Sequence, residues 1–261
     1  MKYIVLSFDD GTKDFLTNAY PILKRYNIPA TWNLISEHIK SKESSVSELD
    51  SNSVFWSEVA DCMQNGIEIA NHSANHTNEL EQIIQGKEII CAELETNNRI
   101  GFASPHSDIC LKNYDRYKIL LQNGDVAYIR SGRQFKRDGL FHAFLYLAYK
   151  YTHMSKLYYW CNKRNIIHLS EDMPLFFPSV TCNCDNTTEQ VINFVKKMPV
   201  ESASILTFHR IVPKTETNQQ IDKWFNYVED LDSLCRYLSE ATDVSVITNF
   251  ELYCMLSKQN K

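Results

Sequence analysis

Short apolar runs alternate with helical periodicities along nearly the whole chain. Runs at 2–8, 30–35, 67–70, 99–103, 126–130, 175–181, 203–208 and 244–247 are brief and mostly apolar, the pattern of strands buried on both faces. Between them apolar residues recur at helical spacing. Ser53 stands before Val54-Phe55-Trp56, and the helical pattern that follows stops at Asn65-Gly66, a C-cap signal. Asn78-x-x-Glu81, Thr187-x-x-Gln190 and Thr248-x-x-Glu251 have the form of capping boxes, each predicting a helix start. A longer periodic stretch predicts a helix from about Ile221 to Leu238. Alternating strand and helix imply a parallel sheet with right-handed crossovers. Seven or eight such units without a break in composition favour a closed or nearly closed α/β barrel over a doubly wound open sheet. Two segments interrupt the rhythm. Residues 37–52, rich in Ser, Glu and Lys, read as a solvated loop; residues 131–172 are basic at first and then aromatic.

The 261 residues suit one such domain, since α/β barrels run to roughly 200–250 residues. Apolar residues at 44% and charged residues at 23% exclude a disordered or fibrous chain. A net charge of -5 without a basic run argues against a nucleic-acid partner. The opening segment holds Lys2, but its apolar run stops at Asp9 and Asp10, so it reads as a strand and not as an export leader. The expected location is therefore the cytoplasm. No stretch reaches the roughly 18 apolar residues of a membrane span; the nearest, Leu140 to Tyr149, is broken by His142 and closed by Lys150. The eight cysteines are scattered with no CxxC and read as reduced, mostly buried thiols. Cys182-x-Cys184 fits a strand end with one thiol on each side better than a metal pair.

The candidate chemistry lies where strands end. Ser7-Phe8-Asp9-Asp10-Gly11 puts two adjacent carboxylates after an apolar strand, a costly arrangement unless a metal holds one ionised while the other works on a proton. Gly11 would let the backbone turn sharply there. Asn71-His72-Ser73-Ala74-Asn75-His76 sets histidines at i and i+4, which share one face of a helical turn and can grip one Zn²⁺. Leu206-Thr207-Phe208-His209 ends a third strand in a histidine, a residue suited to general acid work. Phe102-Ala103-Ser104-Pro105-His106 follows a fourth. Alone, each is as easily a turn, a surface pair or a satisfied histidine. Together they offer one aspartate and two histidines for a facial metal triad, with a carboxylate and a histidine left over as base and acid, a complete set for metal-assisted hydrolysis of an amide or ester. Which aspartate binds metal stays open on this reasoning.

These motifs resemble the polysaccharide deacetylase family, the NodB-homology domain. Ser7-Phe8-Asp9-Asp10-Gly11 is similar to its first motif, Asn71-His72-Ser73-x-x-His76 to its second and Ile205-Leu206-Thr207-Phe208-His209 to its last. Pro29-Ala30-Thr31-Trp32 and the closing Val244 to Leu252 resemble its second strand and final βα step. The resemblance implies a distorted parallel (β/α) barrel of seven or eight strands over residues 1–261, with an aromatic insertion at about 131–172. It implies removal of an acyl group, N-acetyl above all, from a sugar or glycan precursor. By the same resemblance Asp10, His72 and His76 hold a divalent metal, zinc first, with cobalt, nickel or manganese as alternatives. Asp9 becomes the base and His209 the acid, with Trp32, Ser104, Pro105, His106 and Arg130 as candidate substrate contacts.

The chain also departs from the family. The Arg expected two residues before Pro105 is Ala103, the Tyr expected after it is His106, and the Asp-Trp motif has no counterpart within 126–190. Another donor must then hold Asp9, with Arg130, Arg133 and His106 as candidates. The departures keep open an amidase or deformylase acting on a non-acetyl or lipid-linked substrate, and a catalytically silent carbohydrate-binding protein. The aromatic insertion reads first as a helix packed on the barrel; the alternatives are a lid over a sugar and a peripheral membrane contact through residues 139–160.

Overall fold

The computed structural model describes residues 1–41, 52–132, 139–152, 154–170, 172–216 and 223–259. Seven parallel strands form its centre: β1 (Lys2–Phe8), β2 (Ala30–Leu34), β3 (Ile67–Asn71), β4 (Phe102–Ala103), β5 (Ile129–Ser131), β6 (Phe177–Thr181) and β7 (Ser202–Phe208). Each pairs with the next in chain order. The first and last also pair, in continuous register from Lys2 with Ser202 to Phe8 with Phe208. That pairing closes a ring and removes the open-sheet alternative. The ring is splayed beside β1, whose other edge is shared. Val244–Val246 takes Lys2 to Ile4, and β2 takes only Ser7 and Phe8. Ile167–His168 adds antiparallel to the start of β7. All eight predicted strands are present, 99–103 cut to its last two residues and 126–130 displaced toward Ser131.

The outward side chains are apolar and hold the helices. Ile4, Leu6 and Phe8 of β1 join Phe15, Ile22, Leu23 and Trp32 in the main core, each fully buried apolar side chain contributing about 1.5–3 kcal/mol. Trp32 was a candidate substrate contact, but it is fully buried, its ring stacked 4.3 Å from that of Phe15. It faces helices, so a substrate cannot reach it. Inside the ring, Val5, Tyr128, Phe177, Ala203 and Ile205 make a second apolar cluster with Leu252 and Leu256 of the last helix, Asn249–Gln259.

Above this plug the ring interior is polar. Glu68 accepts from Tyr128 Oη at 2.6 Å and from Thr31 Oγ1 at 2.7 Å, and the Phe250 amide donates to it at 2.9 Å. Burial pushes the Glu68 carboxyl above its ordinary range, with these donors working in the other direction. Thr31 Oγ1 in turn accepts from the Asn249 amide at 3.0 Å. The start of the last helix is thus tied into the barrel floor.

Several predicted boundaries shift for local reasons. Thr187 and Gln190 form the predicted capping box, and Thr248 and Glu251 exchange the same two hydrogen bonds. Asn78 caps nothing: it donates to the Pro105 carbonyl at 2.9 Å, and its helix begins at Leu80. The helix expected from Ile221 starts at Val228, because Phe225–Tyr227 pairs as a strand with Arg210–Val212; Ile221 itself lies outside the described residues. Within the expected loop at 37–52, Ser36–His38 forms a 3-10 turn and Ile39–Lys40 pairs with Val54–Phe55, while 42–51 lie outside the described residues.

Gly101 is required where it stands. A Cβ there would fall 1.9 Å from Cζ of Tyr128, the residue that reaches Glu68. We expect Gly101→Ala to destabilise the protein by about 1–3 kcal/mol through overpacking, read as a lowered urea midpoint. An unchanged midpoint would show that the Tyr128 ring yields without cost.

Candidate active site

Because the ring is parallel, all its strand ends open on one rim, and the predicted chemistry gathers there. Asp9 and Asp10 follow β1, His72 follows β3, Ser104 follows β4 and His209 follows β7. They line one cleft of about 1370 Å³.

Asp10 sits at φ 74° and Gly11 at φ 69°. Two left-handed residues in succession turn the chain abruptly off β1, and Asp tolerates this region better than most residues. Asp10 points at the histidines, its Oδ1 lying 3.4 Å from Nε2 of His72 and 3.4 Å from Nε2 of His76. The three residues are the group of potential metal ligands among those described, their ligand atoms within 4.8 Å of one another. Asp10 Oδ1 is also a buried acceptor with no hydrogen-bond donor. Burial opposes ionisation of this carboxyl, but contact with His72 and the charges of His72, His209 and His76 outweigh it and hold the pKa down at about 2. An ionised, orphaned oxygen between two imidazole nitrogens fits a divalent cation.

The histidines do not converge through a helical turn, as their spacing suggested. Residues 72–76 form a loop with Ser73 at φ 67° and His76 at φ 64°. Asn71 shapes it: its Oδ1 accepts from the Ser73 amide at 2.9 Å and its Nδ2 donates to the Ile83 carbonyl at 2.7 Å. The Ala74 amide donates to Gln82 O at 2.9 Å. Gly86 lets the Leu80–Glu93 helix come this close, for a Cβ there would lie 2.5 Å from Asn71 Oδ1. His72 is buried and donates from Nδ1 to the Ala103 carbonyl at 2.8 Å, which orients the ring with Nε2 toward Asp10. The His76 pKa is lowered by burial and by neighbouring His72, against the pull of Asp10.

Asp9 points the other way, into the ring. It is buried, and Nη2 of the fully buried Arg130 bridges its two oxygens at 2.6 and 2.8 Å. Asn33 Nδ2 donates to Oδ1 at 2.8 Å and also to Ser7 Oγ at 2.9 Å. Arg130 Nη1 donates to Thr207 Oγ1 at 3.2 Å and to Ser179 Oγ at 3.5 Å. Of the three donors considered for Asp9, Arg130 is the one in contact; Arg133 lies outside the described residues. Arg130, a candidate substrate contact, is fully buried and does not line the cleft; what it touches is Asp9. Its Cα partner across the ladder is Ala103, the very position where an arginine was expected. The guanidinium that reaches Asp9 comes from β5, one strand along from that position.

His209 lies opposite, its Nε2 3.9 Å from Asp9 Oδ2 and its ring 5.3 Å from that of Trp224. His106 is exposed, at φ 56°, with its ring 4.5 Å from that of His76. Ser104 lines the cleft but is spoken for, donating to Asn78 Oδ1 at 3.0 Å; Pro105 is buried beneath it. Sequence reasoning missed Asn33, Ser179 and Thr207 around Asp9 and Arg130, and Trp224 on the cleft wall. Asn33 did leave a signal, an amide in the middle of the otherwise apolar run Trp32-Asn33-Leu34-Ile35.

Replacing Arg130 by Ala strands a buried carboxylate, which should cost about 3–5 kcal/mol. Adding Ala103→Arg to that variant should recover part of the loss, since the two positions face each other in register. Urea denaturation of the single and double variants measures both. A single variant as stable as the parent would mean that Asp9 does not depend on the pair.

A family model described as polysaccharide deacetylase matches residues 1–100. A candidate polysaccharide deacetylase of Bacillus subtilis strain 168, YxkH, is 32% identical over 75 residues, which is 29% of this chain and 24% of that relative's length. Two solved structures share the fold at 16% identity. The Xyl-CE4 domain of a multidomain xylanase, from the hindgut metagenome of Trinervitermes trinervoides, has a TM-score of 0.51 over 99% of this chain and 91% of its own. The family 4 acetyl xylan esterase of Clostridium thermocellum, solved with a cobalt ion, has a TM-score of 0.52 over 97% and 91%. The first 100 residues are thus similar to polysaccharide deacetylases, and the chain as a whole shares the fold of these two structures.

Proposed function

We propose that the protein is a metal-dependent hydrolase that removes an acyl group, N-acetyl first, from a sugar or glycan precursor. The observation that carries this is the division of labour between adjacent carboxylates: Asp10 turns to two imidazoles and Asp9 to a guanidinium, both on one cleft. Asp10, His72 and His76 would hold the cation, zinc by preference for this N₂O donor set, with cobalt, nickel or manganese as alternatives. When bound, the cation polarises the acyl oxygen and acidifies water.

The remaining steps belong to the protein. Arg130 holds both oxygens of Asp9 and fixes the direction in which the carboxylate points. Oδ1 of Asp9 already accepts from both Arg130 and Asn33, whereas Oδ2 accepts from Arg130 alone. Oδ2 is therefore the oxygen that takes the proton of the attacking water. His209 Nε2, across from it, gives a proton to the leaving nitrogen, which would otherwise depart as a strongly basic anion. Trp224 flanks His209 and offers an apolar wall. A cleft of about 1370 Å³ exceeds the roughly 300–1,000 Å³ of ordinary small-ligand pockets, which favours a glycan over a single small amide. The names of the acetyl xylan esterase with its cobalt ion and of the YxkH relative support metal-assisted removal of acyl groups from carbohydrate.

An acetate-release screen across sugar amides and esters, with metal analysis of the same sample, tests the reading. Asp9→Asn should keep its metal and lose about 10²- to 10⁴-fold in kcat. His72→Ala should lose metal and turnover together. Full activity in Asp9→Asn would overturn the assignment of the base.

A further inference from the structure

The aromatic insertion folds into two helices, Gly139–Thr152 and Ser155–Asn162, each with two unlike faces. The inner faces wall the cleft through Tyr146, Tyr149 and Tyr158. Tyr149 and Tyr158 are buried with ring centroids 5.6 Å apart. The outer faces are apolar and open to solvent. Phe144, Leu147 and Tyr151 follow one another at i, i+3 and i+7 and are 67%, 51% and 82% exposed. Met154, in the turn between the helices, and Trp160, on the second, are about half exposed.

The charge on this insertion runs against the rest of the chain. Between Gly139 and Asn165 stand Lys150, Lys156, Lys163 and Arg164 with no aspartate or glutamate, in a protein of net charge -5. Lys156, Trp160 and Lys163 recur at i, i+4 and i+7, and Lys163 Nζ lies 3.7 Å above the Trp160 ring. An exposed apolar row bordered by cations and an interfacial tryptophan is the pattern of helices that lie in the headgroup region of a bilayer.

We propose that this outer face docks on an anionic lipid bilayer. Phe144, Leu147 and Tyr151 enter the boundary between headgroups and acyl chains, and the lysines meet lipid phosphates. Charge selects this occupant over a second copy of the chain, which would set two cationic rims against each other. Contact is peripheral, since no helix among the described residues is long and apolar enough to cross a membrane. The same helices wall the cleft, so docking would hold its mouth beside the bilayer, where a lipid-carried glycan presents its sugar. That substrate rests on the hydrolase reading; the docking does not.

Vesicle flotation of the intact protein is the test, with phosphatidylcholine vesicles against phosphatidylcholine mixed with phosphatidylglycerol. Binding is expected to the mixed vesicles only and to weaken with salt. Phe144→Asp combined with Leu147→Asp should abolish it, and Lys156→Ala and Lys163→Ala should each weaken it about fivefold. Metal content and acetate release from a soluble sugar amide should be unchanged in all of them. Absence of binding to the mixed vesicles overturns the proposal, as does binding that survives the double aspartate variant. Sedimentation showing a dimer that this variant dissociates, without vesicle binding, would overturn it in favour of self-association. Vesicle binding without acetate release would sink the hydrolase reading and leave the docking intact.

Discussion

A carboxylate buried at the end of β1 gives up its water, and the interior has to supply a cation and hydrogen-bond donors in exchange. The contact between Asp9 and Arg130 meets that constraint, and much of the upper barrel is arranged around it. Arg130 also needs acceptors for Nη1, and Thr207 and Ser179 supply them from β7 and β6. Asp9 needs a second donor, and Asn33 supplies it from β2 while also bonding Ser7 on β1. Five neighbouring strands, β5, β6, β7, β1 and β2, are thereby tied together by one ion pair as well as by their ladders. Such a pair is weak evidence for stability as such, because both charges give up their water. Its value here is placement, since it aims Asp9 away from Asp10 and keeps the two carboxylates in separate roles.

The triad is placed by different means. Asp10, Ser73 and His76 all occupy left-handed backbone, a conformation unfavourable for residues other than glycine unless surrounding contacts impose it. The imposing contacts are the Asn71 side chain and the close approach of the Leu80–Glu93 helix at Gly86. Backbone geometry thus aims the ligands, while a buried polar interior aims the base. The two systems touch at the peptide between Asp9 and Asp10, so a change in either is felt by the other.

Much of this was legible in the sequence. Apolar runs marked every strand of the ring, and residues at their ends marked the rim. The positions of Asp9, Asp10, His72, His76 and His209 followed from that alone. Three things were hidden. Apolar runs say little about the lone polar residue within them, so Asn33, Ser179 and Thr207 passed as strand filler. Local spacing suggested a helical turn for His72 and His76, because the loop that brings them together depends on Asn71 reaching Ile83. And a motif read along the chain cannot show that Ala103 and Arg130 are neighbours across a ladder. Trp32 misled in the opposite sense, since its residue type suits sugar stacking while its register turns it to the core.

The closing pair of strands sets the order in which this chain can acquire its shape. β1 is made before the other strands of the ring, yet one of its edges is completed only by Ser202–Phe208 of β7, the last of them. Its other edge waits in part for Val244–Val246. Until then this long, buried strand has unpaired backbone groups, in a topology rich in distant contacts and therefore slow to fold. Until the later strands arrive, β1 carries an open edge of the kind that invites pairing with another chain.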